Sequence, residues 1–553
     1  MPEPDVVVVG AGAGGLAAAW RLTTQGARVV LLEGGRAYTP AKDYSHTADH
    51  DERLAFPYDA GFDPAGRPRY GYGEAQELPA AFDGYRSHDQ AHGRLVPGQA
   101  RRYAQYSHVR GVGGTTLHFQ GESHRYHPDA LQMQSALGVG VDWPLGFAEL
   151  ERYYDLAEAQ IGVAAPAEIP ERPRSAAPLP AHRLGYASQV LAPAFQSVGT
   201  TLVPNSLAVL SVPRPGRPVC NYCNSCTQGC PLGDKGSAEV AFLPAALATG
   251  KLEVRANAQV LRVERGPRGG ARGVVYADAQ GVEQVVRAEA VLLACGAIET
   301  PRLLLNSGNL ANGSGQVGRH LTETLSWTST ALLSERVDAH RGLPIDGSAW
   351  AFAVPKRRPE GYVGGFRLAT SHGMAGIRGP AFYAEFLAPG FGLEHQRRVA
   401  EIAGRGVAIS AIGEWLPNAG TFVDLDPSLK DALGRPLARI HSKLEANELS
   451  CLKHMADTVR AILAAAKAEI VSELTTLDLF LATHVLGTCR IGKDPATSVA
   501  DPDGFSHEVP NLGFADASAV PSSGSGDSPS LTISALAIRT ADRALARSAS
   551  GPR

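Results

Sequence analysis

Four of the seven cysteines in this 553-residue chain fall within Cys220-Asn-Tyr-Cys223-Asn-Ser-Cys226-Thr-Gln-Gly-Cys230-Pro231. The spacing, C-x2-C-x2-C-x3-C-P, is that by which bacterial ferredoxins bring thiolates to an iron–sulfur centre. Because the fourth cysteine of such a run often serves another cluster, a [3Fe-4S] centre on three ligands and a [4Fe-4S] centre on four both fit. Four close thiolates also suit structural zinc, and one or two disulfides or plain thiols are further alternatives. Cys295 and Cys489 stand apart from this cluster and read as packed rather than reactive.

Three other side chains could handle a proton or touch a substrate. His484 follows the apolar run Leu479-Phe-Leu-Ala482 and precedes Gly487, so its imidazole can face a pocket while the backbone turns. An imidazole there could be a general base, because its ordinary pKa is near ambient pH. It could equally be a hydrogen-bonded structural histidine at a strand end. Ser528, in Gly526-Asp-Ser-Pro529, could hydrogen bond to a substrate oxygen or cap the last helix with Pro529 in its first turn. His118, in Gly113-Gly114-Thr115-Thr-Leu-His118-Phe119, could face a pocket or pack on Phe119.

These residues need elements to position them, and the N-terminus supplies the clearest. Val6 to Val9 is an apolar strand, Gly10-Ala-Gly12-Ala-Gly-Gly15 a glycine turn, the next residues have helical spacing, and Val29-Val-Leu-Leu32-Glu33 is a second strand ending in an acid. Gly10 permits the turn, Gly12 lets backbone approach a pyrophosphate, and Gly15 lets helix and strand pack closely. The pyrophosphate would sit on the free N–H groups of the helix start. Glu33 would accept from a ribose 2′-OH, which favours FAD or NAD(H) over NADP.

Residues 37–100 are rich in Asp, Tyr, His, Pro and Gly and read as a loop insertion or lid. Residues 143–162 have helical spacing, and 164–182 read as a surface connection. Leu252–Val263 and Gly273–Tyr276 follow and read as strand-like, with turns between them. Ala290–Cys295 has the continuous apolar character of a buried parallel strand, with a helix start behind it at Glu299–Leu305. From about 326 to 475, aromatic-bearing strand pieces and a helix near 444–470 predict an antiparallel sheet capping a pocket. Trp350, Phe352, Phe366, Phe382, Tyr383, Phe386, Trp415 and Phe422 recur there, and the Phe and Trp residues could stack on a sugar face, a steroid or an alkyl chain. The chain ends in an amphipathic helix, Leu531 to Leu545.

A hydrophobic content of 44% is that of an ordinary globular chain. A net charge of −3 provides no field to recruit nucleic acid or an anionic membrane. No apolar run approaches the roughly 18 residues that span a bilayer. The N-terminus carries no basic signal region, which predicts a cytoplasmic protein, although export on a signal-bearing partner would leave no trace in the sequence.

Taken together, several segments resemble the GMC (glucose–methanol–choline) flavoprotein oxidoreductases. They are the N-terminal nucleotide motif, Gly111-Val-Gly-Gly114-Thr-Thr-Leu-His118, Leu292–Leu305, Gly318-Arg-His-Leu321, His484-Val-Leu-Gly-Thr-Cys-Arg-Ile-Gly492, Asp516-Ala-Ser518 and Ser528-Pro-Ser-Leu-Thr-Ile533. The resemblance is to the bacterial dehydrogenase and pyranose-oxidase-like branches. It implies an α/β fold with a Rossmann-like FAD-binding domain of discontinuous segments (1–36, 100–142, 235–325 and 476–553). An α+β substrate domain with an antiparallel sheet would comprise 143–234 and 326–475, and 37–99 would be the insertion.

The resemblance further implies oxidation of a primary or secondary alcohol, such as a sugar or steroid, with hydride passing to flavin N5 and His484 acting as base. Electrons would go on to O2, a quinone, or a cytochrome or other carrier protein, and some bacterial sugar dehydrogenases of the family relay them through an iron–sulfur cluster near the cysteine segment. Ser528 stands where relatives carry Asn or His, which is a departure. Gly113, Gly114 and Thr115 would adjoin the flavin, and His118 would contact it or, as in pyranose-oxidase-like members, be joined to it. Val260 would meet adenine, and Asp516 and Ala517 the ribityl and pyrophosphate. Alternatives within the fold are reductive, isomerising or lyase chemistry, or a non-catalytic electron-transfer subunit.

Overall fold

The computed structural model describes residues 3–549 except 40–85, 90–93, 97–98, 101–102, 106–107, 173–176, 225, 268, 373–387, 389, 477–478 and 482. Between 86 and 105 and at 479–481 the description is of backbone strands alone. Most of the expected insertion therefore lies outside the described residues. Its described part is not all loop, because Arg86–Asp89 pairs in parallel with Pro436–His441.

The protein is mixed α/β and is built on two sheets. The first is a five-stranded parallel sheet in the spatial order Leu252–Arg255, Val29–Leu32, Val6–Val9, Ala290–Leu293, Leu512–Phe514. Its central strands are buried on both faces, which explains why Val6–Val9 and Ala290–Leu293 are unbroken apolar runs. Each such Val or Leu contributes about 1.5–3 kcal/mol by burial. Helices Ala13–Thr24, Gly296–Asn306 and Ser530–Ala549 connect or cover these strands. The stretch Leu252–Val263, read as strand, is split. Leu252–Arg255 joins the parallel sheet and Gln259–Arg265 an antiparallel three-stranded one. Asn257, in the left-handed region at φ 53°, makes the break.

The second large sheet has six antiparallel strands: Glu469–Thr475, Thr324–Leu332, Gly406–Glu414, Phe366–Thr370, Gly347–Ala349 and Val203–Pro204. Helix Ala446–Ala465 carries Cys451, Leu452, Met455, Val459 and Ile462 into the apolar core on one face of this sheet. A capping box between Glu445 and Glu448 fixes its start. The expected surface connection at 164–182 is partly internal, with Ala164 and Ala165 buried and paired to Leu179 and Pro180. Among the described residues no helix is long and apolar enough to cross a membrane.

Candidate active site

A cavity of about 600 Å³ runs from the C-terminal ends of the parallel strands to the open face of the antiparallel sheet. At the first end lies the glycine turn. Gly10 adopts φ +102°, and a Cβ there would run into the carbonyl of Ala294 on the neighbouring strand. Gly15 is used for packing, since a Cβ would overlap the carbonyl oxygen of Gly10, and it does not line the cavity. Gly12 differs. A Cβ there would find only the Gly114 Cα, 4.0 Å away, so the position is open towards the cavity. Helix Ala13–Thr24 begins here with no side-chain cap and no acid in its first turn, leaving N–H groups for an anion.

Glu33 lies beside this turn, buried, with Oε2 accepting from Ala11 N–H at 2.9 Å and Oε1 from Gly35 N–H at 2.8 Å. Burial raises its pKa, and these backbone donors oppose the rise. The carboxylate thus braces the turn and still lines the cavity. Val260 and Ala517 line it as well. So does Asp516, but its oxygens are engaged: Oδ2 accepts from Gly296 N–H (2.9 Å) and Thr300 Oγ1 (2.6 Å), and Oδ1 from Ser518 N–H (2.8 Å). It ties the start of Gly296–Asn306 to the C-terminal segment.

Gly114 and Thr115 line the cavity and Gly113 does not. The amide of Gly113 donates to Ala11 O and that of Gly114 to Gly111 O, each at 2.8 Å, so these two amides are engaged within the protein. His118 borders the cavity with a buried Nε2 that has no hydrogen-bond partner, and Gln120 Nε2 is in the same position. Burial, with Lys235 and His108 adding charge, pushes the His118 pKa down to about 3. The open Gly12, the uncapped helix start and these orphaned ring and amide nitrogens suit a large dinucleotide such as FAD.

At the far end, His484 is placed by pairing of its segment with the antiparallel sheet's leading strand. Thr322 and Leu486 exchange backbone hydrogen bonds, Thr483 N–H donates to Glu323 Oε1 (2.8 Å), and His484 Nδ1 lies 3.0 Å from Thr324 Oγ1. Gly487, at φ +90°, turns the chain against the carbonyl of His320. Burial and then the charge of Arg367 push the imidazole pKa down to about 3, so the ring is neutral.

Ser528 also faces the cavity. The last helix begins at Ser530, with Ile533 N–H donating to Pro529 O, so Ser528 stands ahead of the capping position rather than in it. Its own N–H donates to His124 Nδ1 at 3.2 Å.

Sequence reasoning missed the polar sheet face. Thr324, Ser326 and Thr328 alternate towards the cavity, beside Ser410, Ile412 and Arg367 from the adjoining strands. The signal was the period-two polar pattern in Thr324–Leu332. The described aromatic residues among those expected to meet substrate do not line the cavity. Phe366 and Trp415 are fully buried, Phe352 stacks on Phe366 at 5.0 Å, Phe422 stacks on His441, and Trp350 meets His124 edge-on. Phe382, Tyr383 and Phe386 lie outside the described residues.

The cysteine loop abuts the cavity through Thr227. Buried Lys235 fastens it, donating from Nζ to the carbonyls of Leu117 (2.7 Å), Phe119 (3.2 Å) and Cys226 (2.7 Å). Cys220, Cys223, Cys226 and Cys230 are not in disulfides. Burial raises the thiol pKa of Cys226 to about 12. The donor set is chemically that of an iron–sulfur centre, but among the described residues no three such side chains are gathered as a metal site. Cys489 is buried as expected, whereas Cys295 opens onto the cavity with its thiol donating to Val9 O at 3.3 Å.

Comparison with known proteins agrees with this geometry. GMC oxidoreductase family profiles match residues 208–325 and 417–537, and an NAD(P)-binding Rossmann-like domain profile matches 8–61. The 6'''-hydroxyparomomycin C oxidase of Streptomyces lividus is 30% identical over 98% of this chain and 91% of its own length. The fructose dehydrogenase large subunit of Gluconobacter japonicus is 29% identical over 98% and 97%. The 2-methyl-1,2-propanediol dehydrogenase of Mycolicibacterium austroafricanum is 27% identical over 98% and 95%. Pyridoxine 4-oxidase from Mesorbium loti has the same fold, with a TM-score of 0.64 at 20% identity over 98% of this chain and 99% of that one. The chain belongs to the GMC oxidoreductase family of flavoproteins and is an oxidoreductase acting on CH–OH donors.

Proposed function

We propose that this protein oxidises a primary or secondary alcohol to the carbonyl compound, with His484 as the base. The observation that carries the reading is a neutral His484, held at Nδ1 by Thr324, in the same cavity as the open glycine turn. FAD, when bound, supplies the acceptor for the hydride. Gly12 and the start of helix Ala13–Thr24 would take its pyrophosphate, Glu33 and Val260 would border its adenosine half, and Gly114, Thr115 and His118 would border the rest.

The chain's own work is proton handling and orientation. In the tautomer that this role requires, Nδ1–H donates to Thr324 Oγ1, 3.0 Å away, and Nε2 accepts the hydroxyl proton. The polar sheet face of Thr324, Ser326, Thr328 and Ser410 would meet the rest of a hydroxylated substrate. On this reading residues 1–36, 100–142, 235–325 and 476–553 form the FAD-binding domain, and 143–234 with 326–475 the substrate domain. Electrons leave to O2, a quinone or a carrier protein. The cysteine loop, chemically suited to an iron–sulfur cluster, borders the cavity, and its spacing supports that assignment.

Anaerobic mixing of holoenzyme with a panel of alcohols is the test. Bleaching of the flavin band by at least one of them is expected, and a flavin that no alcohol bleaches would refute the reading.

A further inference from the structure

Arg367 is 1% exposed and sits in the middle of the antiparallel sheet, on Phe366–Thr370. A guanidinium in that position must have every N–H satisfied or directed at something that binds there. Its Nε donates to Gly526 O at 2.9 Å and its Nη2 to Glu122 Oε2 at 2.6 Å. Glu122 is itself held, with Oε1 accepting from Asn205 Nδ2 at 3.0 Å and its carbonyl from Ser530 Oγ at 3.0 Å. Nη1 has no partner, and Arg367 lines the cavity together with His484 and Ser528.

Removing a hydroxyl proton leaves negative charge on the oxygen, and a preorganised donor aimed there stabilises it most in a site shielded from water. Ser528 offers a short hydroxyl for this task. The guanidinium is longer, always charged and fixed on two sides. Its charge also disfavours a protonated His484. That effect is offset if the same charge makes the substrate hydroxyl more acidic through a direct hydrogen bond.

We propose that Arg367 Nη1 donates a hydrogen bond to the reacting hydroxyl oxygen and holds the charge that gathers there as the O–H bond breaks and the proton passes to His484. Arg367 is then a catalytic residue, and Glu122 a positioning residue that sets its fork. The assignment builds on the alcohol-oxidising reading of the same cavity.

The test compares wild-type holoenzyme with R367Q and R367K in two measurements. In anaerobic stopped flow with 2-methyl-1,2-propanediol, D-fructose or gluconate as reductant, flavin reduction in both variants should slow by about 10² to 10³. FAD content should be unchanged, and S528A should lose far less. In equilibrium titration with acetate, followed by perturbation of the flavin spectrum, R367Q should bind at least about tenfold more weakly, as expected for loss of a charged hydrogen bond. If R367Q does not fold, R367Q/E122Q, which leaves no unpaired buried carboxylate, takes its place. Reduction within threefold of wild type, or acetate affinity unaltered by the substitution, would overturn the assignment. If none of the three alcohols bleaches the wild-type flavin, the proposed function is what fails for them, and the acetate titration alone decides the part of Arg367.

Discussion

His484 Nδ1 lies 3.0 Å from Thr324 Oγ1, so the imidazole on the C-terminal segment takes its orientation from the first residue of a strand 160 positions earlier. The two are brought together by the exchange of backbone hydrogen bonds between Thr322 and Leu486. The proposed base therefore rests on the antiparallel sheet, while the open glycine turn rests on the parallel one. H484A should slow flavin reduction by about 10² to 10⁴ with FAD still bound. T324V, which removes only the orienting partner, should cost about tenfold, the net value of one hydrogen bond. Stopped-flow reduction of the two variants checks both, and equal losses would contradict an orienting role for Thr324.

Gly12 and Gly15 are three residues apart and should fail differently when substituted. A Cβ at Gly12 meets nothing closer than the Gly114 Cα at 4.0 Å, so G12A should keep its thermal transition and lose FAD affinity. A Cβ at Gly15 runs into the carbonyl of Gly10, so G15A should be destabilised by an amount typical of overpacking, about 1–3 kcal/mol. Flavin titration of the apoproteins, with parallel melting curves, separates the two effects. A G12A that binds FAD as wild type does would remove Gly12 from the pyrophosphate site.

The nucleotide end was legible because its chemistry is local. A strand, glycine turn, helix and terminal acid within Val6–Glu33 are fixed by neighbours in the chain, and the structure reproduces them. The substrate end was legible only in outline. Arg367 and Thr324 belong to strands whose side-chain direction is set by register with Gly406–Glu414, which is long-range information. The aromatic residues misled for the same reason. Phe366 is adjacent to Arg367 on one strand, and alternation sends it into the core when Arg367 faces the cavity. The role of Asp516 was half visible. The family resemblance implies a cofactor contact for it, but its hydrogen bonds to Gly296 and Thr300 depend on a helix from another part of the chain.

The cysteine loop gives a spectroscopic prediction. The loop meets the cavity at Thr227, and burial raises the thiol pKa of Cys220, Cys226 and Cys230. If they ligate an iron–sulfur cluster, purified protein should show a broad brown shoulder beyond the flavin bands, and replacing Cys223 and Cys226 by Ser should abolish it. A wild-type spectrum of flavin alone, with iron absent by metal analysis, would leave the C-x2-C-x2-C-x3-C-P spacing without that role.

Acid should weaken the fold through its neutral histidines. His118 and His484 are both pushed by burial to about 3, against an ordinary value near 6.5. A depressed histidine pKa means that below about pH 6.5 the unfolded chain takes up protons that the folded chain does not. The contribution of each ring is therefore fully present above pH 6.5 and is lost progressively as pH falls from there towards 3. The limiting slope is about 1.4 kcal/mol per pH unit for each histidine. Melting temperatures measured from pH 7 to pH 4.5 should fall, and H118N and H484N should each flatten the fall, because an amide cannot take the proton. A curve with the same steepness in both variants would show that neither ring is held neutral by the fold.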